Sequence, residues 1–223
     1  MRRVVLVLAL VAATLVAASG MALAVNKLGT NGSDTLKGTN GADNLLGKGG
    51  NDVLFGFGGM DNLLGAEGKD WILGGNEQRP LGGDKNLVGG AGNDAVLGGD
   101  GSDNPIGDPG NDYIDGGFGS DKISGEDGTD YLLDGEFGGG ATDILTGGDG
   151  NDVLDPFNQP AKKDIVTCGS GFDRVIADTE DLVAPACEKV AVGLAAAQKL
   201  NQQLEEAGFF DRTFGGLAPS PIG

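Results

Sequence analysis

Beyond its first two dozen residues, this chain does not gather its apolar residues in blocks. From residue 38 to residue 73 they fall in small groups nine residues apart: Leu45-Leu46, Val53-Leu54-Phe55, Leu63-Leu64 and Trp71-Ile72-Leu73. A polar, glycine-rich stretch leads into each group. Every unit opens with glycine, has a second glycine three residues on and an aspartate two further, and places an aliphatic residue two past the aspartate. A fixed period of this length decides the fold before local preferences do. The phased aspartates are Asp34, Asp43, Asp52, Asp61, Asp70, Asp94, Asp103, Asp112, Asp121, Asp130, Asp143, Asp152, Asp164 and Asp173. Two residues after each comes an aliphatic side chain in thirteen of the fourteen cases, Pro105 being the exception.

One obligatory apolar position per unit cannot supply a helix stripe, which needs three or four per two turns. It suits a strand of about three residues with its centre pointing inward. The glycine-rich remainder is then the turn. The spacing therefore predicts an all-β chain: a parallel β-roll, or β-solenoid, of nonapeptide repeats. Two units make a coil, and a thin aliphatic core lies between two stacked sheets. Pro105 lacks a ladder donor and is expected to weaken pairing.

The period slips in three places. Residues 76–80 interrupt it, and the gap from Asp70 to Asp94 leaves room for one irregular unit, ending in Asn86-Leu87-Val88 or built around Asp84. Insertions within 134–141 and around 156–160 delay Asp143 and Asp164. If 74–88 counts as one unit, one edge of the roll carries Asp34, Asp52, Asp70, Asp94, Asp112, Asp130, Asp152 and Asp173. The other carries Asp43, Asp61, Asp103, Asp121, Asp143 and Asp164.

Composition sharpens the picture. Glycine supplies 44 of 223 residues, far above the usual ~7%, and no period of three points to collagen. The net charge is −18, and −20 once Arg2 and Arg3 are removed with a leader. Such a chain repels itself and lacks the basic surface that nucleic acid needs. Its natural partners are cations. It has no histidine, which removes imidazole both as a general base and as a metal ligand.

The turns suit calcium, which takes six to eight hard oxygens at about 2.3–2.6 Å. Glycine lets the backbone approach an ion closely, and the aspartate adds a charged oxygen at a fixed place. Turns stacked roughly 4.8 Å apart let an ion draw oxygens from two of them. Asp and Asn are also ordinary turn residues, so an aspartate ladder without metal is the rival reading. Like charges at coil spacing with no basic residue in phase weigh against it. From Gly29 to Ile176 the chain resembles the RTX, or haemolysin-type, calcium-binding repeat family, whose nonapeptide G-G-x-G-x-D-x-U-x binds calcium. The resemblance implies a β-roll that holds several Ca2+ ions through glycine-loop carbonyls and the phased aspartates. The turn at Asp108-Pro109 departs from the double-glycine form.

The ends differ from the middle. Residues 1–24 read as a secretory signal peptide: basic Arg2-Arg3, an apolar run from Val4, and Ala22-Leu23-Ala24 before the cleavage point. Left uncleaved, residues 4–25 are long enough to anchor the chain in a membrane. Residues 25–176 form the roll and 177–190 a cap. Cys168 and Cys187, an even count in an exported chain, are expected to form a disulfide that ties the cap down. Residues 191–223 are expected to be a short helix, starting from about Lys189, and a flexible tail.

These features point to a secreted calcium-binding protein whose roll folds when Ca2+ binds, in a structural or cell-surface role. The family's C-terminal export signal is not carried over, because the leader here is N-terminal. An enzyme is not expected. Family members often carry the repeats as an appendage to a toxin, lipase or protease, but here they fill nearly all of the mature chain. Gly169-Ser170-Gly171 is too short for a nucleophile elbow. The alternatives are a membrane-anchored, adhesin-like surface protein or a solenoid enzyme acting on polysaccharide. Outward strand positions, read along the chain as Thr35, Asn44, Val53, Asn62 and Trp71, show no ladder, and no protein or polysaccharide partner is named by the sequence.

Overall fold

The computed structural model describes residues 23–76, 83–84, 86–135, 141–156, 158, 161–193, 198–199 and 202–203. Short strands alternate between two sheets. The first sheet holds β1 (Asn26–Leu28), β3 (Asn44–Gly49), β5 (Asn62–Glu67), β7 (Asn86–Ala91), β9 (Pro105–Ile106), β11 (Lys122–Gly128), β13 (Ile144–Gly150), β15 (Ile165–Ser170) and β17 (Leu182–Val183). The second holds β2 (Thr35–Lys37), β4 (Val53–Phe57), β6 (Trp71–Asn76), β8 (Ala95–Asp100), β10 (Tyr113–Phe118), β12 (Tyr131–Leu133), β14 (Val153–Asp155), β16 (Arg174–Ala177) and β18 (Lys189–Val192). Each strand pairs in parallel with the strand two units away, as in Leu45 with Leu63 and Leu54 with Ile72. This is the expected two-unit coil.

The irregular stretch keeps the register. Asn62 pairs with Asn86 and Trp71 with Ala95, so 74–88 acts as one unit. The core is a column of aliphatic residues, two past the aspartate in the regular units and three past Asp84 at Leu87. Leu54, Ile72, Leu87, Val96, Ile114 and Leu132 are completely buried and typical of it. Pro105 occupies that position in β9, which is only two residues long and pairs with β11 through Ile106 and Ser124 alone. The missing donor shortens the ladder, as expected.

Close stacking depends on the second glycine of each unit. A methyl group added at Gly92, whose φ is +153°, would fall on the carbonyl oxygen of Gly68 one coil earlier. Only glycine lets neighbouring turns approach this closely.

Two expectations are corrected. The segment from Lys189 does not open as a helix: Lys189–Val192 is strand β18, with Val190 beside Val175 and Val192 beside Ala177. Valines two apart suit a strand, and the free edge of β16 supplies their hydrogen-bond partners. Helical backbone occurs only at 198–199 and 202–203 among the described residues; the rest of the expected helix and tail lies outside them. An outward ladder also exists. Asn44 donates to Asn26 at 2.7 Å, Asn62 to Asn44 at 2.9 Å and Asn86 to Asn62 at 3.0 Å. Consecutive units alternate sheets, so a reading along the chain interleaves this column with Thr35, Val53 and Trp71 and hides it.

Cys168 and Cys187 are joined as a disulfide. It links β15 to the segment before β18, at the C-terminal end of the stack. The residues expected to be a leader lie largely outside the described ones. No helix among the described residues is long and apolar enough to cross a membrane.

Candidate metal centre

Two rows of aspartates run up the edges of the roll. The main-chain N–H of each phased aspartate but the last, Asp173, donates to Oδ1 of the aspartate one coil further on. Asp34 to Asp52, Asp52 to Asp70, Asp70 to Asp94 and Asp94 to Asp112 span 2.7–2.8 Å. Asp112 to Asp130, Asp130 to Asp152 and Asp152 to Asp173 continue the row at 2.8–3.0 Å. The second row runs Asp43, Asp61, Asp84, Asp103, Asp121, Asp143 and Asp164 in the same way. All fourteen sequence-identified aspartates therefore lie in two rows, divided between the edges as their spacing implied.

Asp84 joins them. Its neighbour two places on is Asn86 rather than an aliphatic residue, and Leu87 comes one later, so the regular spacing left it off the row. The rows also end on residues that the repeat pattern missed. Asp164 N–H donates to Asp181 Oδ1 at 3.1 Å, and Asp173 N–H to Glu188 Oε2 at 2.9 Å. The signal was present: Val183 and Val190 lie two residues past Asp181 and Glu188, but the turn glycines are gone.

The ladder occupies one oxygen of each carboxylate. The other oxygen, Oδ2, is buried and has no hydrogen-bond partner in Asp52, Asp61, Asp70, Asp94, Asp103, Asp112, Asp130, Asp152 and Asp173. An orphaned buried carboxylate oxygen is costly and calls for a partner. Its surroundings indicate which kind. A methyl group added at Gly89 would lie 2.6 Å from Asp94 Oδ2 and 2.8 Å from the carbonyl oxygen of Gly107, one coil on. The equivalent glycine of most other regular units has the same neighbours, as at Gly47 with Asp52 Oδ2 and the Gly65 carbonyl. Oxygens from two successive turns thus converge beside a residue with no side chain. The donor set is hard and anionic, and it fits calcium.

Three aspartates have another partner for Oδ2. Thr30 N–H donates to Asp34 at 2.6 Å, Thr39 N–H to Asp43 at 2.5 Å and the Asn158 amide to Asp164 at 2.9 Å. The Thr30 hydrogen bonds hold Asp34 below the usual carboxylate range. The turn at Asp108-Pro109 keeps its place despite its sequence, with Gly92 N–H donating to the Pro109 carbonyl at 2.9 Å.

Mid-row carboxylates resist ionisation. Burial, the largest cause, pushes Asp112 up to about 9 and Asp130 to about 8; hydrogen bonds from Asp94 and Asp112 oppose it and neighbouring carboxylates add to it. Burial likewise raises Asp94 and Asp152 to about 7. Two unit charges at coil spacing repel by roughly 3–4 kcal/mol at an effective dielectric of 20. Either protons or divalent cations relieve that repulsion.

The family of RTX calcium-binding nonapeptide repeats matches residues 28–59, 55–77, 82–104, 106–133 and 137–155. That is more than half of the chain, which belongs to this family. No curated protein matches it. Its turns are those of a calcium-binding β-roll. Bound calcium would neutralise the rows and bridge adjacent coils; the aspartates and glycine carbonyls would hold it.

Proposed function

We propose that this is a secreted calcium-binding protein whose roll forms when calcium binds outside the cell, and that it serves a structural or cell-surface role. The observation that carries this reading is the column of buried Oδ2 atoms without hydrogen-bond partners. The buried aliphatic residue at the centre of each regular unit contributes about 1.5–3 kcal/mol, set against the entropy of ordering a glycine-rich nonapeptide. In this reading, calcium binding supplies the remainder, so binding free energy is folding free energy. Extracellular calcium modules bind at about 10⁻⁴–10⁻³ M, which confines the folded form to the outside. No catalytic role belongs to this reading, because the buried carboxylates serve the ladder and the cation.

Circular dichroism in EGTA and then in excess calcium tests it. The expected result is a disordered spectrum that becomes strand-rich on adding calcium. A strand signal indifferent to chelation removes the coupling of folding to calcium.

A second reading is an adhesin-like surface protein, anchored if residues 4–25 are retained. The outer face of the first sheet favours it. There the asparagine column runs beside Leu28, Leu46, Leu64 and Val88, and together they line a shallow groove of about 600 Å³.

A further inference from the structure

We propose that Asp134 is an additional calcium ligand, and that it makes one position in the second row the tightest and first-filled site of the roll. The inference rests on the calcium-binding reading of the rows. Asp134 follows β12 and stands where regular units have their opening glycine. At Gly89 the space for a side chain is the space where the aspartate and the next coil's carbonyl meet. In the unit of Asp143 a carboxylate grows from that position instead.

Asp134, Asp143 and Asp164 are all buried, and each places a carboxylate oxygen within 4.8 Å of the other two. Among the described residues they are the one such trio of acidic groups. Asp143 and Asp164 are successive members of the row, joined by Asp143 N–H donating to Asp164 Oδ1 at 2.8 Å. The last segment matched to the calcium-binding repeat, 137–155, includes Asp143, while Asp134 and Asp164 lie outside the matched segments; the N–H ladder is what places Asp143 and Asp164 in the row. Asp134 is what sets it apart.

Asn158 shows how the cluster is held together. Its amide nitrogen donates to Asp134 Oδ2 at 3.1 Å and to Asp164 Oδ2 at 2.9 Å, while its Oδ1 accepts from Lys162 N–H at 2.8 Å. The amide thus places two partly positive hydrogens between two carboxylates. A divalent ion offers the same relief to all three with full charge. The number of charged ligands is a main lever on calcium affinity, and this position gathers an extra one. In the unit one coil before it, the atoms nearest a methyl group at Gly116 are Asp121 Oδ2 at 2.7 Å and Ile123 Cδ1 at 2.9 Å.

Calorimetric calcium titration of the full chain, with circular dichroism at each step, tests this against Asp134→Gly and Asp134→Asn. The glycine variant restores the repeat's own residue and so keeps the turn; the asparagine variant keeps the side-chain size. The wild type is expected to show one binding phase at least tenfold tighter than the rest. Both variants are expected to lose that phase and keep the weaker ones, with the same strand signal at saturation. A tight phase that survives in both variants overturns the proposal and leaves Asp134 as a hydrogen-bond acceptor for Asn158. A wild type with uniform affinities also overturns it. No binding at all, with a strand signal indifferent to EGTA, instead sinks the calcium reading on which it rests.

Discussion

Five side chains occupy the left-handed region just after the opening glycine of their units: Lys48, Phe57, Ala66, Asp108 and Glu126, with φ between 70° and 90°. Other units place glycine there, as at Gly75, Gly90 and Gly99. An L-residue in that region costs roughly 1–2 kcal/mol, so each of the five is a local weakness that the stack tolerates. Ala66→Gly removes only a methyl group and is expected to stabilise the calcium-loaded roll by about 1 kcal/mol, read from urea unfolding at saturating calcium. Gly92→Ala is expected to do the reverse and cost about 3 kcal/mol, because its methyl meets the Gly68 carbonyl rather than open space. At both positions the left-handed backbone disfavours a methyl group, and at Gly92 the adjoining coil's carbonyl adds to that cost.

Among the elements, the last coil departs furthest from the repeat. β17 and β18 follow turns without the repeat's glycines, and Asp181 and Glu188 close the two rows. Closing a loop of about twenty residues contributes roughly 3 kcal/mol in the chain-entropy model, and the Cys168–Cys187 disulfide lies where the core is running out. Reduction is expected to raise the calcium concentration needed to order β15–β18 while leaving β3–β8 unchanged. Hydrogen exchange resolved along the chain checks this, and uniform loss of protection would refute it. The regular coils were legible in the sequence because each Asp and its aliphatic partner keep an unvarying spacing. Asp84 was legible only as one of two centres for the irregular unit, because one extra residue separates it from Leu87. Lys189–Val192 escaped because the neighbouring Ala- and Gln-rich segment suggests a helix, whereas the open edge of β16 selects a strand. The asparagine ladder escaped because it exists only between residues a whole coil apart.

For the whole molecule the governing quantity is charge along two rows. Asp112, Asp130, Asp94 and Asp152 have folded-state pKa values raised to about 9, 8, 7 and 7 from 3.8. A raised carboxylate pKa means that the folded form holds its proton more tightly than the unfolded one. That contribution to stability is complete below about pH 4 and is lost as pH rises through roughly 7 to 9. In EGTA, acid is therefore expected to favour the roll and neutral or alkaline solution to undo it. With calcium present the same protons compete with the ion for the folded rows, so half-saturation with calcium is expected to need more of the ion at pH 6 than at pH 8 and to release protons. Circular dichroism in EGTA across this range tests the first sign, and calorimetric calcium titration at the two pH values tests the second. A calcium midpoint independent of pH would show that the rows do not exchange protons for metal.

Each coil grips only the coils directly above and below it, and one end is stitched by a covalent bond while the other is not. Under tension such a body behaves like a zip rather than a knot. Load applied at its two termini peels layers singly from the unstitched N-terminal side, and the slack released at each step is one coil's worth of chain. A tether of this design lengthens in small increments instead of failing all at once.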